Sequence, residues 1–242
     1  MQRIRRFYDE YKIVLYMVLF ALGVRAFAYE PFRIPSGSMV PTLLIGDYLF
    51  VSKLSYGYTR YSLPFDMPLF DGRILFKEPE RGDVAVFRLP TNPKVDYIKR
   101  IVGLPGDTIQ LRSSLLYVNG QPVDYLRTDD FVNKSGNGNV SRTAQFIETL
   151  PGGKKHRTIE RSINIAKDST GLYTVPPGHY FGMGDNRDNS TDSRYLNDVG
   201  FIPRENLIGR ADFLFFSVNG SPWKIWEWAR TLRLERFFKG IE

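Results

Sequence analysis

A chain of 242 residues, 43% apolar and 24% charged, is long enough for one domain with a sizeable insertion and has the composition of a folded protein. It has no cysteine and only two histidines. That excludes a disulfide framework, a thiol nucleophile and a Cys- or His-rich metal centre, and leaves Ser-His chemistry only His156 or His179 to use. The net charge of +7 suits nucleic acid or an anionic membrane surface; because the excess of basic charge sits largely at the two ends beside apolar residues, a phospholipid membrane is expected and nucleic acid is not.

Residues 1–12 carry Arg3, Arg5, Arg6 and Lys12 against Asp9 and Glu10, and an apolar run, Ile13 to Val24, follows, interrupted by Arg25 before Ala26-Phe27-Ala28-Tyr29. If Arg25 snorkels to the far interface, Tyr11 to Tyr29 approaches the ~20 residues needed for a membrane span, with the anchor placed at 13–29. The upstream basic residues place the N-terminus in the cytoplasm and the rest outside it, as a single-pass protein of the inner (plasma) membrane. A cleaved signal peptide, cut after Ala28 at a small-x-small site, is the rival reading. A helix buried in a soluble domain is the third, opposed by the all-round apolarity. The retained anchor is preferred.

Next comes Pro35-Ser36-Gly37-Ser38-Met39-Val40-Pro41-Thr42-Leu43. Glycine permits close backbone approach, and the prolines exclude mid-helix and mid-sheet. Alone, the stretch reads as a turn; a serine on so stiff a loop is also a candidate nucleophile. From there the patterning is strand-like: Tyr48–Val51, Val84–Phe87, Tyr97–Val102, Leu116–Val118, His179–Phe181 and Leu207–Val218 read as strands, and Asn119-Gly120 as a two-residue hairpin turn. The fold class is mainly β, with a main β domain over 30–111 and 179–222, a long ribbon or loop at 55–80, and an accessory subdomain over 112–178. Arg127 to Thr170 is polar, with Ser135-Gly136-Asn137-Gly138-Asn139 and Pro151-Gly152-Gly153-Lys154-Lys155, and reads as loops. The aromatic-basic tail, 223–242, has Ile225, Trp228, Ala229 and Leu232 at helical spacing, then Leu234, Phe237, Phe238 and Ile241 on roughly the opposite face. Either a helix breaks near Arg233 or both faces are covered; membrane-interface contact and packing on the β body are equally open.

A serine nucleophile needs a group to take its proton. His156 follows two lysines in a polar loop, and His179 follows Pro176-Pro177-Gly178; neither context is promising. Strand alternation puts Val95, Tyr97, Lys99 and Ile101 on one face and Asp96, Ile98 and Arg100 on the other. Lys99 thus lies on an apolar face where burial lowers its pKa, so that its amine can act as a base near neutrality; a lysine snorkelling to solvent is the plainer alternative. The run from Gly182 to Arg194 is dense in Asp, Asn and Ser. It could imitate a calcium loop, but Arg187 and Arg194 within it argue for internal ion pairs.

With these stretches the chain resembles bacterial type I signal peptidase (leader peptidase), the Ser-Lys dyad protease family. Four blocks carry the resemblance: Pro35–Leu43 with Gly46-Asp47; Arg81–Phe87; Asp96–Asp107, including Gly103-Leu104-Pro105-Gly106-Asp107; and Gly184–Arg194. The resemblance implies a signal-peptidase-like coiled β-sheet domain with an inserted accessory subdomain after one transmembrane helix. It implies a serine endopeptidase that removes signal peptides from exported preproteins, cutting after small residues at −1 and −3. Ser38 would be the nucleophile, Lys99 the general base, and the Ser38 N–H and Ser36 hydroxyl the oxyanion hole. Ser190 would hydrogen-bond the lysine, and Asp192 and Arg194 would form a bracing ion pair. Phe32, Ile34, Pro35, Met39, Tyr97 and Ile98 would wall the substrate pockets, with the signal peptide added as a β-strand. The partners implied are preprotein signal peptides, the phospholipid membrane and the protein-export machinery; no cofactor and no metal are implied. The chain departs from the better-known Gram-negative pattern in having one apparent N-terminal span and no cysteine pair. Two other readings stand beside this one: a specialised Ser-Lys processing peptidase for one partner, and a non-catalytic membrane-tethered β binding module.

Overall fold

The computed structural model describes residues 2–63, 70–134, 140–161 and 167–241. The apolar N-terminal run lies in a single helix, α1 (Gln2–Phe27). Its apolar side chains from Ile13 to Phe27 are exposed on all sides, Phe20 by 74%. Among the described residues no helix is long and apolar enough to cross a membrane. The physical reason is the shortness of the uninterrupted run, Ile13 to Val24 between Lys12 and Arg25. The expected anchor at 13–29 is helical to Phe27.

Fifteen strands follow among the described residues: β1 (Tyr29–Arg33), β2 (Asp47–Ser52), β3 (Val84–Leu89), β4 (Asn92–Gly103), β5 (Thr108–Arg112), β6 (Leu115–Val118), β7 (Gln121–Pro122), β8 (Asp124–Arg127), β9 (Phe131–Lys134), β10 (Val140–Thr149), β11 (Lys155–Glu160), β12 (Tyr173–Thr174), β13 (His179–Met183), β14 (Ile202–Pro203) and β15 (Leu207–Ser217). The mainly β reading holds. Seven strands make one sheet in the order β1-β2-β15-β3-β4-β13-β14; β12-β5-β6-β7 make a second, and β11-β10-β8 with β9 a third. The first sheet is covered on both faces. Ile34, Met39, Leu43, Leu49, Val84 and Val86 pack on one side, and Ala85, Phe87, Ile101, Tyr180 and Ile202 on the other. The second sheet packs against β13 through Ile109, Leu116, Phe181 and Met183. Asn119 and Gly120, both at positive φ, turn β6 into β7 as the sequence suggests.

One reading needs correction, and two that left alternatives open are decided. Much of 127–170 is not loop: β10 and β11 form an antiparallel hairpin around Gly152 and Gly153, both at positive φ. Their polar composition misled because one face of the hairpin is exposed while the other carries buried polar groups, Glu148 and Thr158 among them. The Ser135–Asn139 run lies outside the described residues. The 55–80 stretch is no long ribbon where described; it holds 3-10 turns, including Arg60–Ser62, and one isolated bridge, Tyr58 to Ile74. The tail is not one helix either. A single α-turn, α2 (Trp228–Thr231), ends where Leu232 bridges to Val218, which is the break near Arg233. Trp228 and Phe237 pack on Phe216, so part of the tail packs on the β body, while Trp223, Trp226 and Phe238 stay exposed.

Leu49 lies in the core of the first sheet with no exposure. Leu49→Ala should cost about 2–5 kcal/mol of stability, read as a lower urea midpoint with an unchanged m-value.

Candidate active site

The centre of the molecule is a contact between residues 61 positions apart: Lys99 Nζ lies 3.0 Å from Ser38 Oγ. Both are buried, Lys99 at 3% and Ser38 at 9% exposure. Lys99 also donates to its neighbour Ile98 O at 2.9 Å and lies 5.0 Å from the Tyr97 ring centroid. Burial lowers the Lys99 pKa to about 8; the charges of Asp192 and Asp185 oppose that shift and Arg194 adds to it. The apolar-face reading of Lys99 thus agrees with its burial. Arg100, placed on the other and less apolar face, is fully buried as well. Alternation misjudged it because that face of β4 is also covered, by the cluster that takes in Val84, Val86 and Ile98, and because a carboxylate waits there. Arg100 donates to both oxygens of Asp185 at 2.8 Å.

The serine loop is held from the 184–194 side by its backbone. Asn186 N donates to Ser38 O at 3.0 Å, and its side-chain amide donates to Gly37 O at 2.9 Å. Thr42 Oγ1 donates to Asp185 Oδ2. A Cβ on Gly184 would sit 2.6 Å from Ser38 O and 2.2 Å from Ser190 Oγ, and one on Gly182 would meet Lys99 Cβ at 3.1 Å. Only glycine lets these segments come so close.

Of the two arginines expected to make ion pairs inside the 184–194 loop, Arg194 does. Arg194 donates to Asp192 Oδ1 at 2.8 Å and Oδ2 at 2.9 Å, and Gly184 N donates to Asp192 Oδ2 at 3.0 Å. Burial pushes the Asp192 and Asp185 carboxyls up, but the Arg194 and Arg100 guanidiniums outweigh it and hold both below the usual carboxylate range. Arg187 pairs outside the loop, with Glu148 of β10 at 2.7 Å. Among the described residues no cluster of His, Asp and Glu has metal-holding geometry. Ser190 differs from its expected role: its buried Oγ has no hydrogen-bond partner, and Lys99 bonds Ser38 and Ile98 instead. Ser36 and Pro35, at the loop's start, are exposed.

Of the expected pocket walls, Ile34, Met39, Phe32 and Ile98 share one apolar cluster, while Tyr97 packs with Phe87 on the opposite face of the sheet. A cavity of about 430 Å³ opens beside Phe32, Tyr61, Leu63, Asp96 and Ile208. β13 pairs with β4 only from Arg100 onward, so from Asn92 to Lys99 that strand is bonded to β3 alone among the described residues. An open strand edge therefore ends at the Lys99 amine.

His156 corrects the reading of it as a loop residue: it lies in β11, 5% exposed, 3.4 Å from Glu148 and 3.8 Å from Asp185. Burial and the nearby Arg100 charge lower its pKa to about 4. Sequence reasoning gave no role to Asn186, Thr42 or Asp185, although the Gly184-Asp185-Asn186 run was marked by its density of hydrogen-bonding side chains.

The family described as signal peptidase, peptidase S26, matches residues 8–216. A signal peptidase I of Rickettsia typhi is 39% identical, covering 96% of this chain and 93% of its own; one of Rickettsia canadensis is 39% identical with the same coverage. A crystal structure of a signal peptidase I from Enterococcus faecalis aligns with 55% of this chain and 97% of its own at 31% identity, with a TM-score of 0.33, too low to bear on the fold.

Burial accounts for most of the Lys99 shift, and Asp192 is the strongest charge raising it back. An NMR titration of the Lys99 side chain should give a midpoint near 8, not the ordinary 10.5. Asp192→Asn should move that midpoint lower still, because it removes the carboxylate and leaves the Arg194 charge unbalanced.

Proposed function

The chain belongs to the signal peptidase family, peptidase S26, and from that premise we propose that Ser38 and Lys99 form the dyad with which it, a serine endopeptidase, removes N-terminal signal peptides from preproteins. The observation that carries the assignment is the buried contact of Lys99 Nζ with Ser38 Oγ at 3.0 Å. In the neutral amine the direction of that bond reverses, and the Ser38 O–H donates to the Nζ lone pair. Ser38 Oγ then attacks the scissile carbonyl carbon while Lys99 takes its proton. The resulting ammonium protonates the departing amine. A water, deprotonated by Lys99 in the same way, releases the signal peptide from the acyl-enzyme.

The Ser38 N–H and the Ser36 hydroxyl donate to the oxyanion, a term worth ~3 kcal/mol per donor. The Asn186 bonds to Gly37 O and Ser38 O fix the peptide planes from which that hole is built. Asp192 and Arg194 brace the loop behind the lysine, and Ser190 joins Lys99 when the third ammonium proton needs an acceptor. The substrate adds as a strand to the open edge of β4, with −1 and −3 side chains against Phe32, Ile34, Pro35, Met39, Tyr97 and Ile98. The domain division proposed is 30–111 with 179–222 around the dyad and 112–178 as the accessory part, with the β12-β5-β6-β7 sheet spanning that boundary.

The enzyme is tethered to the plasma membrane by α1, N-terminus inside, with the export machinery as its neighbour. Support comes from the apolar side chains that α1 exposes all round, since a helix apolar on every side needs an apolar environment.

Ser38→Ala and Lys99→Ala should each reduce cleavage of an Ala-x-Ala preprotein by at least about 10³-fold while circular dichroism stays unchanged. Cleavage by both variants at the wild-type rate would sink the dyad. The base must be neutral to act, so the rate should climb about tenfold per pH unit and level off above the Lys99 pKa of about 8. The same shift affects stability. The folded state gives up this proton near 8 and the unfolded chain holds it to about 10.5. Between those values the unfolded state binds more protons, and stability rises with pH there.

A further inference from the structure

The far limb of the serine loop, Thr42 to Asp47, is held by the C-terminal tail, which lies beyond the residues matched to the family. Asp47 closes the loop at its base. Its O accepts from Ile34 N at 2.8 Å, and its carboxylate accepts from Leu44 N and Ser217 Oγ, both at 2.7 Å. That carboxylate is fully buried, and two tail guanidiniums reach it. Arg236 donates to Oδ1 from Nε at 3.0 Å and to Oδ2 from Nη2; Arg233 approaches Oδ1 at 3.4 Å. The same two side chains also bond the loop backbone, Arg236 to Thr42 O at 2.9 Å and Arg233 to Ile45 O at 3.1 Å.

A forked guanidinium can bridge a carboxylate and a carbonyl at once in fixed geometry, which a lysine ammonium does less well. Arg236 is 9% exposed, so its bonds are sheltered from water. Gly46 leaves no slack on this side: at φ +88 its absent Cβ would lie 2.0 Å from Val218 O. The near limb is pinned by Asn186 at Gly37 and Ser38. The loop is therefore clamped at both limbs, and Ser38 sits between the clamps.

We propose that Arg236, assisted by Arg233, is a positioning residue for the hydrolysis, acting through Asp47 and Thr42 O to hold the backbone that presents Ser38. The inference rests on the dyad reading. It assigns the tail a part in setting turnover: displacement of a nucleophile by about 1 Å can cost ~10²-fold in rate, whereas β4, whose open edge takes the substrate strand, lies outside the clamp.

The test uses the full chain in detergent, with kcat and KM for an Ala-x-Ala preprotein measured separately. Arg236→Ala should lose about 10–100-fold in kcat with KM little changed, and added guanidinium ion should restore part of the loss. Arg236→Lys should fall between. Hydrogen exchange should quicken at Leu44 and Gly46 but not in β3 and β4. If the wild type cleaves and Arg236→Ala matches its kcat, the clamp is refuted and the dyad stands. If the wild type itself fails to cleave, the dyad reading falls and takes the clamp with it. A kcat loss that guanidinium does not relieve, accompanied by faster exchange throughout β3 and β4, would show a merely structural role and also overturn the proposal. Should Arg236→Ala not fold, Asp47→Asn, nearly isosteric, is held to the same kcat and exchange outcomes.

Discussion

Lys99 has to be dry to be a base. In water a lysine ammonium holds its proton to about 10.4, and at neutral pH almost none of it is available to accept one from a serine. Burial at 3% exposure brings the pKa down to about 8, and the rest of the site can be read as the set of arrangements that keep water away without supplying a counter-charge. Met39 and Leu43 of the serine loop are themselves fully buried, so the loop that carries Ser38 also seals the sheet beneath it. Gly182 and Gly184 matter for the same reason: with side chains there, the segment over Lys99 could not come down onto it.

Two carboxylates, Asp185 and Asp192, lie near enough to raise the lysine pKa again. Each is tied by both oxygens to a buried arginine, Arg100 or Arg194. A buried ion pair is poor evidence for stability, because desolvating both charges consumes much of their attraction. Here its consequence is electrostatic and geometric. Pairing mutes the carboxylates' pull on Lys99, and it fixes a loop of hydrogen-bonding residues, including Asn186, which grips the serine backbone. The hairpin β10–β11 supports that arrangement from outside, through Glu148 to Arg187 and through a bond from Ile159 N to Asp185 O.

What was legible in the sequence follows from which signals are local. Strand alternation identified a buried face at Lys99 because Tyr97 and Ile101 flank it. It failed at Arg100 because the period of two assumes one wet face, and β4 from Arg100 onward lies between β3 and β13 with cores on both sides. The hydrogen-bonding density of 184–194 was visible, and its internal pairing was inferable from the arginines interleaved with aspartates. The partners of Arg187 and His156 were not: Glu148 and Asp185 come from elsewhere in the chain, and polar composition hid the strands that bring them in. Nothing local links Ser38 to Lys99, or Asp47 to Arg236 across 189 positions; the first pair is reached through the apolar face of Lys99 and the motif resemblance together, the second through the folded structure alone.

The junction of α1 and β1 bears on how such a site could work at a membrane. One residue, Ala28, separates the helix end at Phe27 from the strand start at Tyr29, too short to act as a flexible linker. The exit is also locked. Lys53, 2% exposed, donates to Arg25 O at 3.2 Å and pairs with Glu30 at 3.1 Å, while the Tyr58 hydroxyl donates to Phe27 O. β1 then leads directly into Ile34 and the serine loop. At roughly 3.3 Å per strand residue, its five residues fix an offset of about 17 Å between helix end and loop start. On the proposal that α1 is the membrane tether, the height of Ser38 above the lipid would be set by a strand and not by diffusion on a flexible linker. A rigid offset of that kind favours substrates whose own apolar segment ends at the same interface, so the covalent path from helix to serine would help select the scissile bond before any pocket reads its side chains.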